Sequence, residues 1–288
     1  METKSVTLSW NITGQCPERC GYCFGGLGKD TLTKEDHFKI ADKIIADQVD
    51  EVAIAGGEPM MLEHLPELIK YLHDGGIKNI RLNTGSGLRH TGIFHRFGLY
   101  QKILPYLSQV SIPFEGGTRE SERKIRGSQE NGANIFDEIQ TVTNAGVGCV
   151  INTCVHKQNI WNQIHSMNNL VKMGEYLTHL ENNFGLKIDK WSLRQFFPVQ
   201  GAGAKNIEQF DISTDEYRQA VKEVIEAFPN LNIEPREIED FQRMYLMLDK
   251  EANLFRARDG NNITLGNVLH ENISIRQIAE TEQIQERI

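Results

Sequence analysis

The chain of 288 residues carries 39 acidic and 31 basic side chains, a formal net charge of −8, so its surface as a whole does not attract nucleic acid. Its composition is that of an ordinary globular protein, no apolar run is long enough to span a bilayer, and the opening METKSVTLSWNITG lacks the apolar core of a secretory signal. Five cysteines, three of them clustered, argue against a disulfide framework and point to a reducing, cytoplasmic setting.

Val6 to Ile12 alternates and ends at Thr13-Gly14, which predicts a strand feeding TGQCPERCGYCFGG. There Cys16, Cys20 and Cys23 can turn their sulfurs toward one point when the loop curls. Thiolates bind soft metals and iron–sulfur clusters. Three thiolates on a four-iron cubane leave one iron open to a small molecule, whereas a structural zinc site closes with a fourth ligand. Three buried thiols are the plainest alternative. Gly25, Gly26 and Gly28 permit tight turns around such a site.

Thr33 caps a helix whose apolar face is Phe38, Ala41, Ile44 and Ile45, with Ile40 at its edge. Val52 to Ala55 is a short buried strand, followed by Gly56-Gly57-Glu58-Pro59. The two glycines let the backbone approach a ligand, and their carbonyls with Glu58 can accept hydrogen bonds from an ammonium group. Leu65 to Leu72 is a helix ended by Gly75-Gly76. Ile80 to Leu82 is a strand, and Asn83-Thr84-Gly85-Ser86 after it suits a ribose or is simply a turn. Phe94 to Leu104 is helical, and Gln109 to Ile112 is a strand with Ser111 near its end.

EGGTRESERKIRGS, residues 115 to 128, reads as a loop with Arg126 before Gly127, or as a solvated charge run with Arg119, Arg123 and Lys124. Ile135 to Ala145 is a helix. Val147 to Val155 is a strand with Asn152 turned to the site, and Cys149 and Cys154 face opposite sides as small buried residues. Trp161 to Phe184 is helical with a break near Gly174, and Lys190 to Phe197 is the sixth strand.

Strands alternating with helices predict a parallel sheet with right-handed crossovers. The fold class is α/β, a partial (β/α)6 barrel, with every motif above at a strand's C-terminal end, where ligands collect. Residues 1–205 form this core, and residues 206–288 form an extension covering the barrel. The extension holds a helix over 213–228 capped by Ser213 or Thr214 and a strand at Leu231 to Glu234. Met244 to Leu248 packs over the barrel, Phe255 to Arg258 and Ile263 to Leu265 form a hairpin, and the end is a polar helix or frayed tail.

The C-x3-C-x2-C spacing with Tyr22 before the last cysteine, followed by Gly-Gly-Glu on the next strand, resembles the radical S-adenosylmethionine (radical SAM) enzymes. The resemblance implies a [4Fe–4S] cluster on Cys16, Cys20 and Cys23, with S-adenosylmethionine (AdoMet) on the open iron. One electron then cleaves AdoMet, and the 5′-deoxyadenosyl radical abstracts a substrate hydrogen. Carried over position by position, it implies AdoMet contacts at Tyr22, Gly56, Gly57, Glu58, Thr84, Ser111, Arg126 and Phe197. Glu58 would meet the amino group and Arg126, whose fork donates two hydrogen bonds, the carboxylate. Pro198-Val199-Gln200-Gly201 would leave room for adenine. An electron donor such as flavodoxin or ferredoxin is implied as partner, with no membrane or nucleic acid.

KWSLRQFFPVQGAG and the later PREIEDFQRMYLMLDKEANLFRARDG resemble the viperin branch, which dehydrates a nucleoside triphosphate to its 3′-deoxy-3′,4′-didehydro analogue. That resemblance implies substrate contacts at Lys29, Asn152, Lys190 and Arg194, because a triphosphate carries about four negative charges. The chain departs from the branch at Gly25, at Leu8-Ser9-Trp10-Asn11 and at Val150. These departures leave open another small molecule or a peptide as substrate, and a non-catalytic metal protein as a third reading.

Overall fold

The computed structural model describes residues 5–25, 27–85, 93–127, 135–160, 169–198, 201–240, 246–258 and 261–285. Its strands are β1 (Thr7–Thr13), β2 (Glu51–Gly56), β3 (Asn79–Asn83), β4 (Gln109–Pro113), β5 (Gly148–Val155), β6 (Lys190–Gln195), β7 (Ile233–Arg236), β8 (Leu246–Leu248), β9 (Asn253–Arg258) and β10 (Asn261–Asn267). Among the described residues they make one sheet in the order β10-β9-β8-β1-β2-β3-β4-β5-β6-β7. From β8 through to β7 every pair is parallel. β9 turns back antiparallel on β8, and β10 on β9. With β7 and β10 as edges, the barrel stays open, as a partial one must.

Helices cross between the strands: α1 (Lys34–Ala46), α2 (Leu65–Asp74), α3 (Ile93–Ile103), α4 (Arg119–Arg126), α5 (Ile135–Asn144), α6 (Lys157–Ile160) and α7 (Asn169–Phe184). Between β6 and β7 lie α8 (Gly201–Lys205), α9 (Ile207–Phe210) and α10 (Thr214–Ala227), and α11 (Ile275–Gln285) comes last.

Strand alternation sorts the two faces of the sheet. Leu8, Trp10, Val52, Ile54, Ile80, Leu82, Val110, Ile112, Ile151, Trp191 and Leu193 point to the helices and are buried in one core with Ile40, Ala41 and Ile44 of α1. Each such side chain contributes about 1.5–3 kcal/mol. The opposite face is polar. Register sets Asn83 beside Ser111, sets Pro113, Asn152 and Ser192 in line, and sets Cys154, Arg194 and Arg236 in line. Polar groups on an inner face add little stability, so this side of the sheet is free to serve a ligand.

The structure corrects several expectations. The buried face of α1 is His37, Ile40, Ala41 and Ile44, because the helix is rotated to set the His37 ring edge-on to Trp10 at 5.8 Å; Phe38 and Ile45 are only partly buried. The expected loop at 115–128 contains α4, begun by a capping box between Thr118 and Ser121 and ended by Gly127 at φ 66°. α7 runs unbroken through Gly174, where the missing Cβ makes room for the Phe228 ring. Residues 161–168 and Met244-Tyr245 lie outside the described residues. Leu246 to Leu248 does not lie over the barrel: it hydrogen-bonds beside β1, satisfying an edge that would otherwise be bare. Of the two readings of the C-terminal end, the helix is the one found: α11 is started by hydrogen bonds from Ser274 Oγ (3.0 Å) and Ile275 N–H (2.5 Å) to Asp47.

Candidate functional site

The three cysteines leave the C-terminal end of β1 on a loop whose backbone is held at both ends. Asp30 accepts from Thr13 Oγ1 (2.6 Å), Gly14 N–H (2.7 Å) and Gln15 Nε2 (2.9 Å). Burial opposes the ionised form of Asp30, and these donors outweigh it, so its carboxyl titrates below the usual range. Gly57 and Glu58 N–H groups donate to Thr13 O (2.6 Å) and Gln15 O (2.7 Å). The two glycines of the Gly-Gly-Glu turn therefore admit the chain's own loop: a Cβ on Gly56 would stand 2.6 Å from Thr13 O, and one on Gly57 would overlap Gln15 O. On the far side the Gly203 N–H donates to Cys23 O at 2.8 Å, and a Cβ on Gly201 would meet the Cys23 carbonyl at 2.8 Å. Gly201, among the residues expected to leave room for adenine, also makes room for the cysteine loop; Val199 and Gln200 lie outside the described residues.

Glu58 and Arg126 hold one turn between them. Glu58 is fully buried and accepts from Met60 N–H (3.0 Å), Thr84 Oγ1 (2.8 Å) and Gly85 N–H (2.8 Å). Arg126, 3% exposed, donates to Gly85 O and faces Glu18 at 3.4 Å and Glu122 at 3.6 Å. Burial works against its charge, and neighbouring Cys20, Tyr22, Glu122 and Glu18 outweigh that, keeping the guanidinium protonated. Thus a residue of β2's turn, one of β3's turn and one from the end of α4 meet. Ser111 lies on β4 one strand over, buried, its hydroxyl accepting from Gln109 Nε2 at 3.2 Å. Ser86 lies outside the described residues.

Behind Tyr22 stands a set of groups that the sequence reading passed over. Tyr22 Oη donates to Glu115 Oε1 at 3.1 Å, and its ring lies 5.3 Å from His156 and 6.0 Å from Phe210. Burial and the Glu122 carboxylate push the Glu115 carboxyl up to about 8. Burial alone sends His156 down to about 3, keeping it neutral. Glu122 was legible in outline, standing four residues before Arg126 on a helix. Glu115 and His156 carried no motif; their signal was a polar residue just past a strand's C-terminal end.

The four expected substrate contacts gather only in part: register sets Lys190, Asn152 and Arg194 on one face of the neighbouring strands β5 and β6, while Lys29 belongs to the loop after β1. Lys29 is exposed, and its carbonyl accepts from Lys250 Nζ at 3.4 Å. Lys190 opens β6 at the strand's N-terminal end and pairs with Glu234 at 2.9 Å, which also holds Arg236 at 2.7 Å. Arg194, further along β6, lies beside Cys154 and acts on its charge. Asn152 Oδ1 is buried with no hydrogen-bond partner. Phe197 is half-buried, while Phe196 before it is the packed ring, 5.9 Å from Phe210. A cleft of about 160 Å³ opens beside Gly25, lined by Asn11, Thr13, Gly56, the Asp249–Glu251 turn, Phe255, Asn262 and Thr264. None of the four expected residues lines it.

The family model of the radical SAM superfamily matches residues 10–171. The chain belongs to that superfamily, whose cofactors are a [4Fe–4S] cluster and AdoMet. It is 23% identical over 276 residues to an S-adenosylmethionine-dependent nucleotide dehydratase of Lacinutrix mariniflava, covering 90% of this chain and 52% of the relative. A protein of the same name from Flammeovirga pacifica is 22% identical over 276 residues, 91% of this chain and 86% of the relative. The chain thus spans about half the length of the first of these relatives. SuiB of Streptococcus suis bound to S-adenosylmethionine has the same fold, with a TM-score of 0.68 at 13% identity, over 96% of this chain and 68% of that one.

The cysteine loop fits a cluster by its donor chemistry. Burial pushes Cys16 up to about 11, Cys20 up to about 12 against the pull of Arg126, and Cys23 also upward. A thiolate there needs a cation beside it, which iron supplies. Gly25 N–H already donates to Cys23 Sγ at 3.3 Å, the kind of bond that tunes a ligand sulfur. Among the described residues no three His, Cys, Asp or Glu side chains converge on a single-ion site; thiolates on separate irons of a cubane stand further apart than ligands of one ion.

Proposed function

We propose that the protein is a radical SAM enzyme that dehydrates a nucleotide in the manner of viperin. The observation that carries this is similarity along nine-tenths of the chain, beyond the superfamily core, to two proteins named S-adenosylmethionine-dependent nucleotide dehydratase. On this reading residues 1–205 are the catalytic core and residues 206–288 an extension supplying part of the substrate side. When bound, the cluster and AdoMet supply a radical that takes hydrogen from substrate.

The chain's own residues do the rest. Cys16, Cys20 and Cys23 hold the cluster. Glu58 and Thr84 order the turn that receives the AdoMet amino group, and Arg126 holds the other side of Gly85 and offers its fork to the carboxylate. Gly56, Gly57, Tyr22, Ser111 and Phe197 shape the rest of that cradle. Asn152, Arg194 and, more remotely, Lys29 and Lys190 face the substrate. The cleft beside Gly25 is below the roughly 300–1,000 Å³ of a drug-sized site, so it takes one part of a substrate, with Asn11 and Asn262 in its wall. The reducing setting is the cytoplasm, with a low-potential electron carrier such as flavodoxin or ferredoxin as partner.

The test is anaerobic. The reconstituted protein is mixed with AdoMet, a reductant and each of the four ribonucleoside triphosphates in turn. Strong stimulation of 5′-deoxyadenosine by one of them, with a product lighter by one water, is the expected result. Slow, equal 5′-deoxyadenosine in every tube would keep the radical chemistry and remove the nucleotide.

A further inference from the structure

Glu115 stands just past β4, 3% exposed, and belongs to no motif. One carboxylate oxygen accepts from the Tyr22 hydroxyl at 3.1 Å and the other from the Cys154 backbone N–H at 3.0 Å. The residue is itself fixed: its N–H donates to Glu122 Oε2 at 2.7 Å, and its carbonyl accepts from Asn159 Nδ2 at 3.4 Å. Asn159 also donates to Cys154 O at 2.7 Å. The two oxygens of one side chain thus join the residue before the last cysteine to the end of β5, and the residue is braced from α4 and α6.

A carboxyl is an expensive group to bury, and packing alone would be served as well by an apolar side chain of the same size. Its two acceptors meet two donors from separate elements, which packing does not require. The neighbouring backbone is held from elsewhere: Asn206 Nδ2 donates to Gly21 O at 3.1 Å and Gly203 N–H to Cys23 O at 2.8 Å. Between those two anchors, Tyr22 is held through its side chain by Glu115.

We propose that Glu115 is a positioning residue for the cluster loop. It sets Tyr22, and with it the backbone of Cys23, against β5, so that the ligand spacing and the AdoMet-facing edge of the loop are in place before the cofactors bind. Nothing in its contacts takes part in bond making. The proposal rests on the cluster and AdoMet part of the reading above and is independent of the nucleotide.

The experiment uses the full chain without nucleotide. Wild type, Tyr22→Phe, Glu115→Ala and Glu115→Gln are reconstituted anaerobically. Iron per chain is measured, then the electron paramagnetic resonance of the reduced cluster as AdoMet is added, and the thermal unfolding of each apoprotein. Removing the partner of a ligand-bearing segment typically costs about 10–100-fold in affinity or activity. Tyr22→Phe and Glu115→Ala should therefore lose iron, or need about 10–100-fold more AdoMet for the spectral change. Glu115→Gln keeps an oxygen to accept the Tyr22 hydroxyl but turns an NH2 toward the Cys154 N–H, so it should fall between Glu115→Ala and wild type.

Full iron and a wild-type AdoMet response in both Tyr22→Phe and Glu115→Ala would overturn the proposal. So would a Glu115→Ala protein that merely melts earlier while its folded fraction binds iron and AdoMet normally. If Glu115→Ala does not fold, Tyr22→Phe, which removes a single oxygen, decides. A wild-type chain that takes up iron but ignores AdoMet sinks the functional reading instead, and the iron measurement still judges Glu115.

Discussion

Two regions of the molecule are built differently: the turns around the cysteine loop and the β6–β7 edge of the sheet. Around the cysteine loop, Glu58, Thr84, Gly85 and Arg126 come from three separate crossovers and interlock in buried hydrogen bonds. At the β6–β7 edge, Lys190 pairs with Glu234, 28% exposed. The first is tied together by buried hydrogen bonds among three elements, which offset the cost of burying its polar atoms. The second is wetter and holds its charges loosely. A cofactor common to a whole family suits the first arrangement, and a substrate that varies within it suits the second.

The strongest way to break the contrast is at the cysteines. Cys16→Ala should abolish cluster absorbance and AdoMet cleavage while leaving the far-ultraviolet circular dichroism unchanged, because Cys16 is not part of the apolar core. A variant that still loads a full cluster would mean that the ligand set is wrong.

Next is Glu58→Ala, which leaves Met60 N–H, Thr84 Oγ1 and Gly85 N–H without their acceptor. At about 1–3 kcal/mol for each buried group stranded, the loss should be about 3 kcal/mol or more, read from the denaturant midpoint. A shift under about 1 kcal/mol would show that the network is slack. Gly57→Ala pushes a Cβ into the Gln15 backbone; it should cost about 1–3 kcal/mol and lower the iron content together with the stability. Loss of stability with iron unchanged would separate the Gly-Gly-Glu turn from the cluster loop.

A pH series probes the first region from beneath. Burial, then the nearby His64, lowers His37 from 6.5 to about 4, and its Nδ1 stands 2.7 Å from His64 Nε2. The folded state keeps His37 neutral while the unfolded chain protonates. The stability it contributes is complete above about pH 6.5 and is lost as pH falls toward 4. Stability measured across that window should fall less steeply in His37→Gln than in wild type, and equal slopes would refute the assignment.

The smallest effect is expected at Lys190. Its pair with Glu234 is partly exposed, so Lys190→Ala should change stability by less than about 1 kcal/mol. Arg194→Ala, at a position beside Cys154, should lower turnover more than Lys190→Ala does. The reverse order, measured with the stimulating nucleotide, would move the substrate to the outer end of β6.

Much of this was legible in the residues. Alternation and helix caps located β1 to β6 and α10, because buried strands and capped helices write their period into the chain. The Cys16, Cys20, Cys23 spacing and Gly56-Gly57-Glu58 were equally plain, since local ligand geometry demands local spacing. What was not legible is that the two glycines also fit the loop's own backbone, a contact between positions 42 residues apart, as Gly57 and Gln15 are. Met244 to Leu248 was expected over the barrel, and Leu246 to Leu248 pairs with β1 instead, because a short apolar run does not say which edge it will join.

The sequence by itself determined the βα succession, the cysteine spacing and the superfamily, because these depend on residue type at short separation. Only the tertiary structure decided that Glu58 and Arg126 share Gly85, that Glu115 ties Tyr22 to β5, and that Lys190 is taken by Glu234. Those contacts join residues far apart in the chain, and their energy depends on burial and on which partner the sheet register brings alongside.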